Sequence, residues 1–244
     1  STQVGCRMGC NFCASTLGGL VRHLTPSEML EQVYETVRQS GERVDSLVLM
    51  GIGEPLDNYD NVIRFLRLLT DPKGYNLGQR HISLSTCGLV DRIYDLAKED
   101  LGITLSISLH APDNETRNKT MPVNRRWPVE QLMQACRDYF RTTGRRISFE
   151  YALIKGVNDS PADAQKLAKL LDGMICHVNL IPVNDVAERG NVRSSQKDIQ
   201  NFQSILKKQG INATIRRTLG HDINASCGQL RRLKKRGDQI EHGC

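Results

Sequence analysis

Short β-branched runs alternate with amphipathic stretches along nearly the whole chain, and that beat limits the fold more than any other feature. Thr25-Pro26-Ser27-Glu28 is a capping box with proline at the first helical position. Behind it Met29, Leu30, Val33 and Val37 share one helical face, and Gly41 supplies a stop. A buried strand is expected from Ser46 to Met50, then a helix from about Tyr59 to Leu69 and a strand from Ile82 to Thr86. Asp91 to Glu99 reads as helix and Thr104 to Leu109 as strand. Pro128 opens a helix from Val129 to Thr142, and Arg146 to Ile154 is a strand. Ser160-Pro161-Ala162-Asp163 caps a helix reaching about Leu171, followed by a strand from Cys176 to Ile181. A helix from Gln196 to Lys208 stops at Gly210, and Ile211 to Arg217 makes a last strand. This spacing argues for an α/β fold with a parallel sheet, about six units curling into a partial (β/α)6 barrel. An open doubly wound sheet is the alternative.

The 244 residues, 39% of them hydrophobic, suit one sizeable domain over residues 1–220. Residues 221–244 read as an irregular, basic tail. No run of about 18 apolar residues is present, so no membrane span is expected. A net charge of +6 leans mildly toward anionic partners. Eight cysteines are many, but the long helical periodicity is unlike a secreted disulfide framework, and a reducing cytoplasm fits better.

Three of those cysteines crowd into Cys6-Arg-Met-Gly-Cys10-Asn-Phe-Cys13. Three thiolates in one short loop can hold three irons of a 4Fe–4S cube and leave the fourth iron open for a ligand. Structural zinc wants four closed ligands, and His23 would complete such a set only awkwardly. Inert structural thiols are the third reading. The spacing, with an aromatic residue just before the last cysteine, resembles the signature of the radical S-adenosylmethionine superfamily.

Gly51-Ile52-Gly53-Glu54-Pro55 follows the strand at Ser46 to Met50, at the end where α/β barrels gather catalytic groups. It is either an ordinary turn or a site where glycines admit a ligand and a carboxylate meets an ammonium group. Its place after the cysteine loop resembles the superfamily motif that holds the amino group of S-adenosylmethionine, which implicates Gly53 and Glu54. Ser85 and the run Ser108-Leu109-His110 end the next two strands, and Asn184 lies just past Ile181. Each could cap a helix; together they suggest a ring of ligands around one cofactor. Further on, Cys227 stands in Ala-Ser-Cys-Gly-Gln-Leu with His221, Arg231 and Arg232 nearby. A lone cysteine is more often a buried hydrophobe than a nucleophile, yet basic surroundings favour the thiolate.

Seven segments carry a closer resemblance: S-T-Q-V-G-C, G-I-G-E-P-L, S-I-S-L-H-A-P, M-P-V-N, Y-A-L-I-K-G-V-N-D, H-V-N-L-I-P-V-N and A-S-C-G-Q-L-R-R. They run in order over nearly the whole chain and resemble the RlmN family. That resemblance implies methylation of adenine C2 in 23S ribosomal RNA and, in some members, transfer RNA. It also implies a 4Fe–4S cluster on Cys6, Cys10 and Cys13, bound S-adenosylmethionine, and Cys227 as methyl carrier. An electron donor such as flavodoxin, a monomeric state and a cytoplasmic setting belong to the same expectation. The related Cfr enzymes methylate C8 and typically carry alanine where Pro55 stands. The family's second cysteine, its glutamate base and its small N-terminal RNA-binding domain would fall before Ser1. The chain is therefore expected to be a catalytic core whose RNA product stays joined to Cys227. An RNA-binding scaffold with a purely structural cluster, and a radical reaction on a small molecule, are the rivals. Arg125, Arg126, Trp127, Arg145 and Arg146, with Arg231, Arg232, Lys234, Lys235 and Arg236, offer phosphate contacts.

Overall fold

A computed structural model describes residues 1–183 and 192–216. Two short strands, β1 (Gln3–Gly5) and β2 (Leu20–His23), pair antiparallel and enclose the cysteine loop. Helix α1 (Pro26–Ser40) starts at the expected box, where the Thr25 side chain accepts from Glu28 N and the Glu28 carboxylate accepts from Thr25 N. Gly41 closes it in the left-handed conformation.

The main sheet has six strands: β3 (Leu47–Leu49), β4 (Ile82–Thr86), β5 (Thr104–Ser108), β6 (Ile147–Leu153), β7 (Cys176–Pro182) and β8 (Asn212–Ile215). They lie in sequence order and every pair is parallel. A doubly wound sheet would reverse its strand order at a switch point. No reversal occurs, so each crossover advances the same way round and the sheet curls into a partial barrel. Helix α2 (Tyr59–Thr70) joins β3 to β4 and α3 (Val90–Leu96) joins β4 to β5. A pair, α4 (Asn114–Thr120) and α5 (Val129–Thr143), joins β5 to β6. Helices α6 (Pro161–Leu170) and α7 (Gln196–Lys208) complete the set.

Strand periodicity decides which face is wet. Ile82, Leu84, Leu105, Ile107, Phe149, Val178 and Leu180 are buried with Val62, Ile93, Leu132, Leu167 and Phe202 of the helices. On the other face the registers align Ser83, Ser85, Ser106, Ser108, Ser148, Glu150, His177, Asn179 and Thr214. Parallel strands covered on both sides read as continuous apolar runs. Here most residues on this face are polar, with Val48, Ala152 and Ile181 the apolar exceptions, so the barrel's inner face is built for polar contents.

Two expectations needed revision. The strand at Ser46 to Met50 is a three-residue edge, and Val48 is 61% exposed because it shares the inner face with Ser83, while Leu49 is buried on the helix side. Helix α4 was not read from the sequence, since its polar Asn-Glu-Thr-Arg-Asn-Lys-Thr run has no apolar stripe. Among the described residues no helix is long and apolar enough to cross a membrane.

Candidate active site

The cysteine loop is held against the C-terminal rim of the sheet from three sides. Thr2 N and Gln3 N both donate to Ile52 O, at 2.9 and 3.2 Å. Glu54 N donates to Gln3 Oε1 at 2.8 Å, and Gln3 Nε2 donates to Asp57 Oδ2 at 2.8 Å. Arg7 donates to both oxygens of Asp57. Across the rim, Asn11 N donates to Thr120 O at 2.9 Å and Asn11 Nδ2 to Lys119 O at 3.0 Å. Phe12 meets His110 edge to face, with ring centroids 4.8 Å apart.

Two glycines make these approaches possible. At Gly5 the backbone has φ +79° and a Cβ would fall 1.9 Å from Gly19 O, where Cys6 N also bonds. At Gly53 φ is +106° and a Cβ would lie 2.6 Å from Gln3 Cβ and 2.9 Å from Gln3 N. Only glycine adopts such backbone without strain.

Cys6 and Cys10 are buried free thiols, and Cys13 is half-buried at the start of a short 3-10 turn. Burial is the main cause that pushes the Cys6 thiol up to about 11 and the Cys10 thiol up to about 12. The field of Cys13 raises both further. The three sulfurs thus sense one another, and as thiolates they require a cationic centre. Asn11 Oδ1 and Ser15 Oγ, in the same segment, are buried without a hydrogen-bond partner. Among the described residues no group of three His, Cys, Asp or Glu is gathered to hold a single metal ion. A cube spreads its thiolates over separate irons, and three thiols in one loop fit such a cluster.

The Glu54 carboxylate is turned inward, 4% exposed. Its Oε1 accepts from Leu56 N at 3.0 Å and its Oε2 from Cys87 N at 2.8 Å. Burial raises its pKa against those bonds. The side chain therefore ties the end of β3 to the end of β4. Ser85 and Ser108, half-buried on the polar face, share one long hydrogen bond of 3.4 Å. Leu109 is core, its N donating to Glu150 O and its O accepting from Arg117 Nε. His110, buried with φ +55°, accepts from Ala152 N through Nδ1 at 2.9 Å. Its proton therefore resides on Nε2. Asn158 Nδ2 donates to His110 O at 2.7 Å and holds that unusual backbone.

Deeper on the polar face lies a network that sequence reading passed over. Asn179 Nδ2 donates to Glu150 Oε2 at 2.7 Å, and His177 Nε2 meets Thr214 Oγ1 at 3.0 Å. Alternation within Ser-Phe-Glu and His-Val-Asn was the available signal. Asn184, Cys227 and the basic residues beyond Arg216 lie outside the described residues. Arg125 and Arg126 stand at the start of α5, near the rim, whereas Arg145 and Arg146 follow its end. Fifteen helical residues, about 22 Å, separate the pairs, which lie at opposite ends of α5. A cleft of about 430 Å³ lined by Arg137, Phe140, Ile147 and Met174 opens at the strands' other end, away from this chemistry.

Comparison with known proteins places this rim among its kin. Residues 1–171 match the radical SAM superfamily. A probable dual-specificity RNA methyltransferase RlmN from Clostridium novyi is 57% identical over 232 residues, 95% of this chain and 68% of its own length. The chain belongs to the RlmN family. A counterpart from Clostridium acetobutylicum is 58% identical, and this chain covers 67% of it. The crystal structure of a radical SAM methyltransferase from Sphaerobacter thermophilus superposes with a TM-score of 0.90. It is 47% identical, over 93% of this chain and 68% of that one. RlmN membership brings radical SAM chemistry with a 4Fe–4S cluster and S-adenosylmethionine, in keeping with the cysteine loop. The chain spans about two thirds of the length of these RlmN relatives.

Proposed function

We propose that this RlmN-family chain methylates C2 of an adenosine in 23S ribosomal RNA and in transfer RNA, with Cys227 carrying the methyl group. The observation that carries the reading is the cysteine hairpin, fastened over the rim where the Gly51–Pro55 loop, Ser85, Ser108 and His110 meet. Adenine C2 is an electron-poor ring carbon that does not attack a sulfonium methyl by displacement. When bound to Cys6, Cys10 and Cys13, the cluster supplies the electron that opens S-adenosylmethionine and gives access to radical chemistry.

The remaining work falls to the chain's own residues. Glu54 ties the loop after β3 to the end of β4 through Leu56 N and Cys87 N, while Thr2 and Gln3 hold the Gly51–Gly53 turn at Ile52 O and Glu54 N, so that the turn faces the cofactor's amino end. Ser85 and Ser108, joined only by a long mutual bond, would hold the cofactor through their hydroxyls. His110 offers Nε2–H as a fixed donor, and Asn184 is proposed as a further cofactor ligand. Leu109 contributes only backbone. Residues 1–220 form the core and residues 221–244 bring the carrier cysteine and a basic tail that meets RNA phosphates together with Arg125 and Arg126. A one-electron donor such as flavodoxin, a monomeric state and the cytoplasm complete this reading.

Anaerobic reconstitution with S-adenosylmethionine, followed by peptide mass spectrometry, should find a methyl group on Cys227. An unmodified Cys227 alongside active cofactor cleavage defeats the carrier role. Digestion of treated RNA, with nucleosides read free or peptide-linked, should give substitution at C2. Substitution at C8 instead would overturn the C2 assignment.

A further inference from the structure

Arg117 of α4 is fully buried, yet none of its hydrogen bonds goes to a carboxylate. Its Nε donates to Leu109 O at 3.1 Å, Nη1 to Asn124 Oδ1 at 3.0 Å, and Nη2 to Cys87 O at 2.6 Å and Ser108 O at 3.4 Å. All four acceptors are neutral. A buried charge is ordinarily paired, because carbonyl dipoles only partly replace water. Against the larger effect of their burial, its positive charge favours the thiolate at Cys10, Cys87 and Cys136. Helix α4 is also the element stapled to the cysteine loop, through the two Asn11 bonds to Lys119 O and Thr120 O. The cation without a carboxylate partner thus stands on the helix that anchors the cysteine loop, and its field reaches Cys10.

We propose that Arg117 is the counter-charge of the cluster site and makes the cluster easier to reduce, acting through its field as a positioning residue. This rests on the reading that Cys6, Cys10 and Cys13 hold the cluster. Reduction adds one electron from a one-electron donor and one unit of negative charge to an already anionic, thiolate-bound centre, without a proton. A fixed positive charge favours the reduced form. Acting over about 10 Å at an effective dielectric of about 20, one charge shifts that equilibrium about tenfold. The same field explains why Arg117 is tolerated without a carboxylate: one placed beside it would cancel the effect.

The test is a potentiometric titration of the cluster-loaded protein, read by electron paramagnetic resonance. Two variants remove the charge by different routes. Arg117→Gln deletes it, and Asn124→Asp leaves the arginine in place but sets a carboxylate on Nη1. Arg117→Lys keeps the charge while losing the fork. The first two should lower the reduced-to-oxidised ratio at fixed potential about tenfold, equivalent to about 59 mV for a one-electron couple. Arg117→Lys should stay close to the parent. The proposal is overturned if the charge-removing variants match the parent, or if Arg117→Lys shifts as far as Arg117→Gln. Should Arg117→Gln fail to fold, Asn124→Asp decides alone. A parent protein that holds no iron after reconstitution refutes the ligand assignment itself, and this inference with it; an iron-loaded series with one common potential refutes only the role of Arg117.

Discussion

Lowering the pH from 7 to 5 should destabilise this fold by about 2 kcal/mol through a single residue, His110. The imidazole is 6% exposed and accepts a hydrogen bond from Ala152 N, which a protonated ring could not do. Burial first, and then the charge of Arg117, push its pKa down to about 3. In the unfolded chain the same ring titrates near 6.5. At pH 7 both states are essentially neutral. Between about 6.5 and 3 the unfolded chain binds a proton that the folded chain refuses, so stability falls as pH falls. Each pH unit in that window costs about 1.4 kcal/mol, and pH 5 lies about 1.5 units inside it. Urea unfolding at pH 7, 6 and 5 should show this loss in the parent. His110→Asn tolerates the left-handed backbone and does not titrate. That variant will start less stable, because it packs less well, but its pH dependence should be flatter by about 2 kcal/mol over the range. Parallel pH profiles for the two proteins would refute the argument.

Gly53→Ala should cost about 2–4 kcal/mol, from the positive φ and the collision with Gln3, measured as a lower urea midpoint. An unchanged midpoint would mean the hairpin does not approach so closely. Glu54→Ala strands the buried N–H groups of Leu56 and Cys87 and should cost about 2–6 kcal/mol, whereas Glu54→Gln, which keeps one acceptor, should cost about half of that. Equal losses for both would show that charge, not hydrogen bonding, ties the strand ends. Removing Arg125 and Arg126 should weaken RNA binding and flatten its salt dependence, while removing Arg145 and Arg146 should not, as read by filter binding across a salt series.

Much of this architecture could be read from residue order. The Thr25 capping box, the Gln196–Lys208 helix and the strand at Ile82–Thr86 come from local rules of capping and periodicity, and they occur where expected. The three cysteines were legible because their spacing is itself the chemistry. Glu54 was legible as an important residue but not in its posture. A turn motif cannot reveal that a carboxylate faces inward onto two amides, Leu56 N in its own turn and Cys87 N just past β4. Arg117 was invisible, because a lone arginine in a polar seven-residue helix looks like surface until the fold buries it. The polar inner face was written plainly in Ser-Leu-Ser, Ser-Ile-Ser and His-Val-Asn. It went unread because parallel strands are expected to be apolar on both sides.

The central claim is that Cys6, Cys10 and Cys13 form one metallocentre and that the other described cysteines do not. Iron and acid-labile sulfide should be counted after anaerobic reconstitution of six single alanine variants, at positions 6, 10, 13, 87, 136 and 176. About four irons per chain should remain in the parent and in the variants of Cys87, Cys136 and Cys176, and be lost from the other three. A cluster that survives Cys13→Ala, or one that vanishes with Cys87→Ala in a folded protein, would contradict the account.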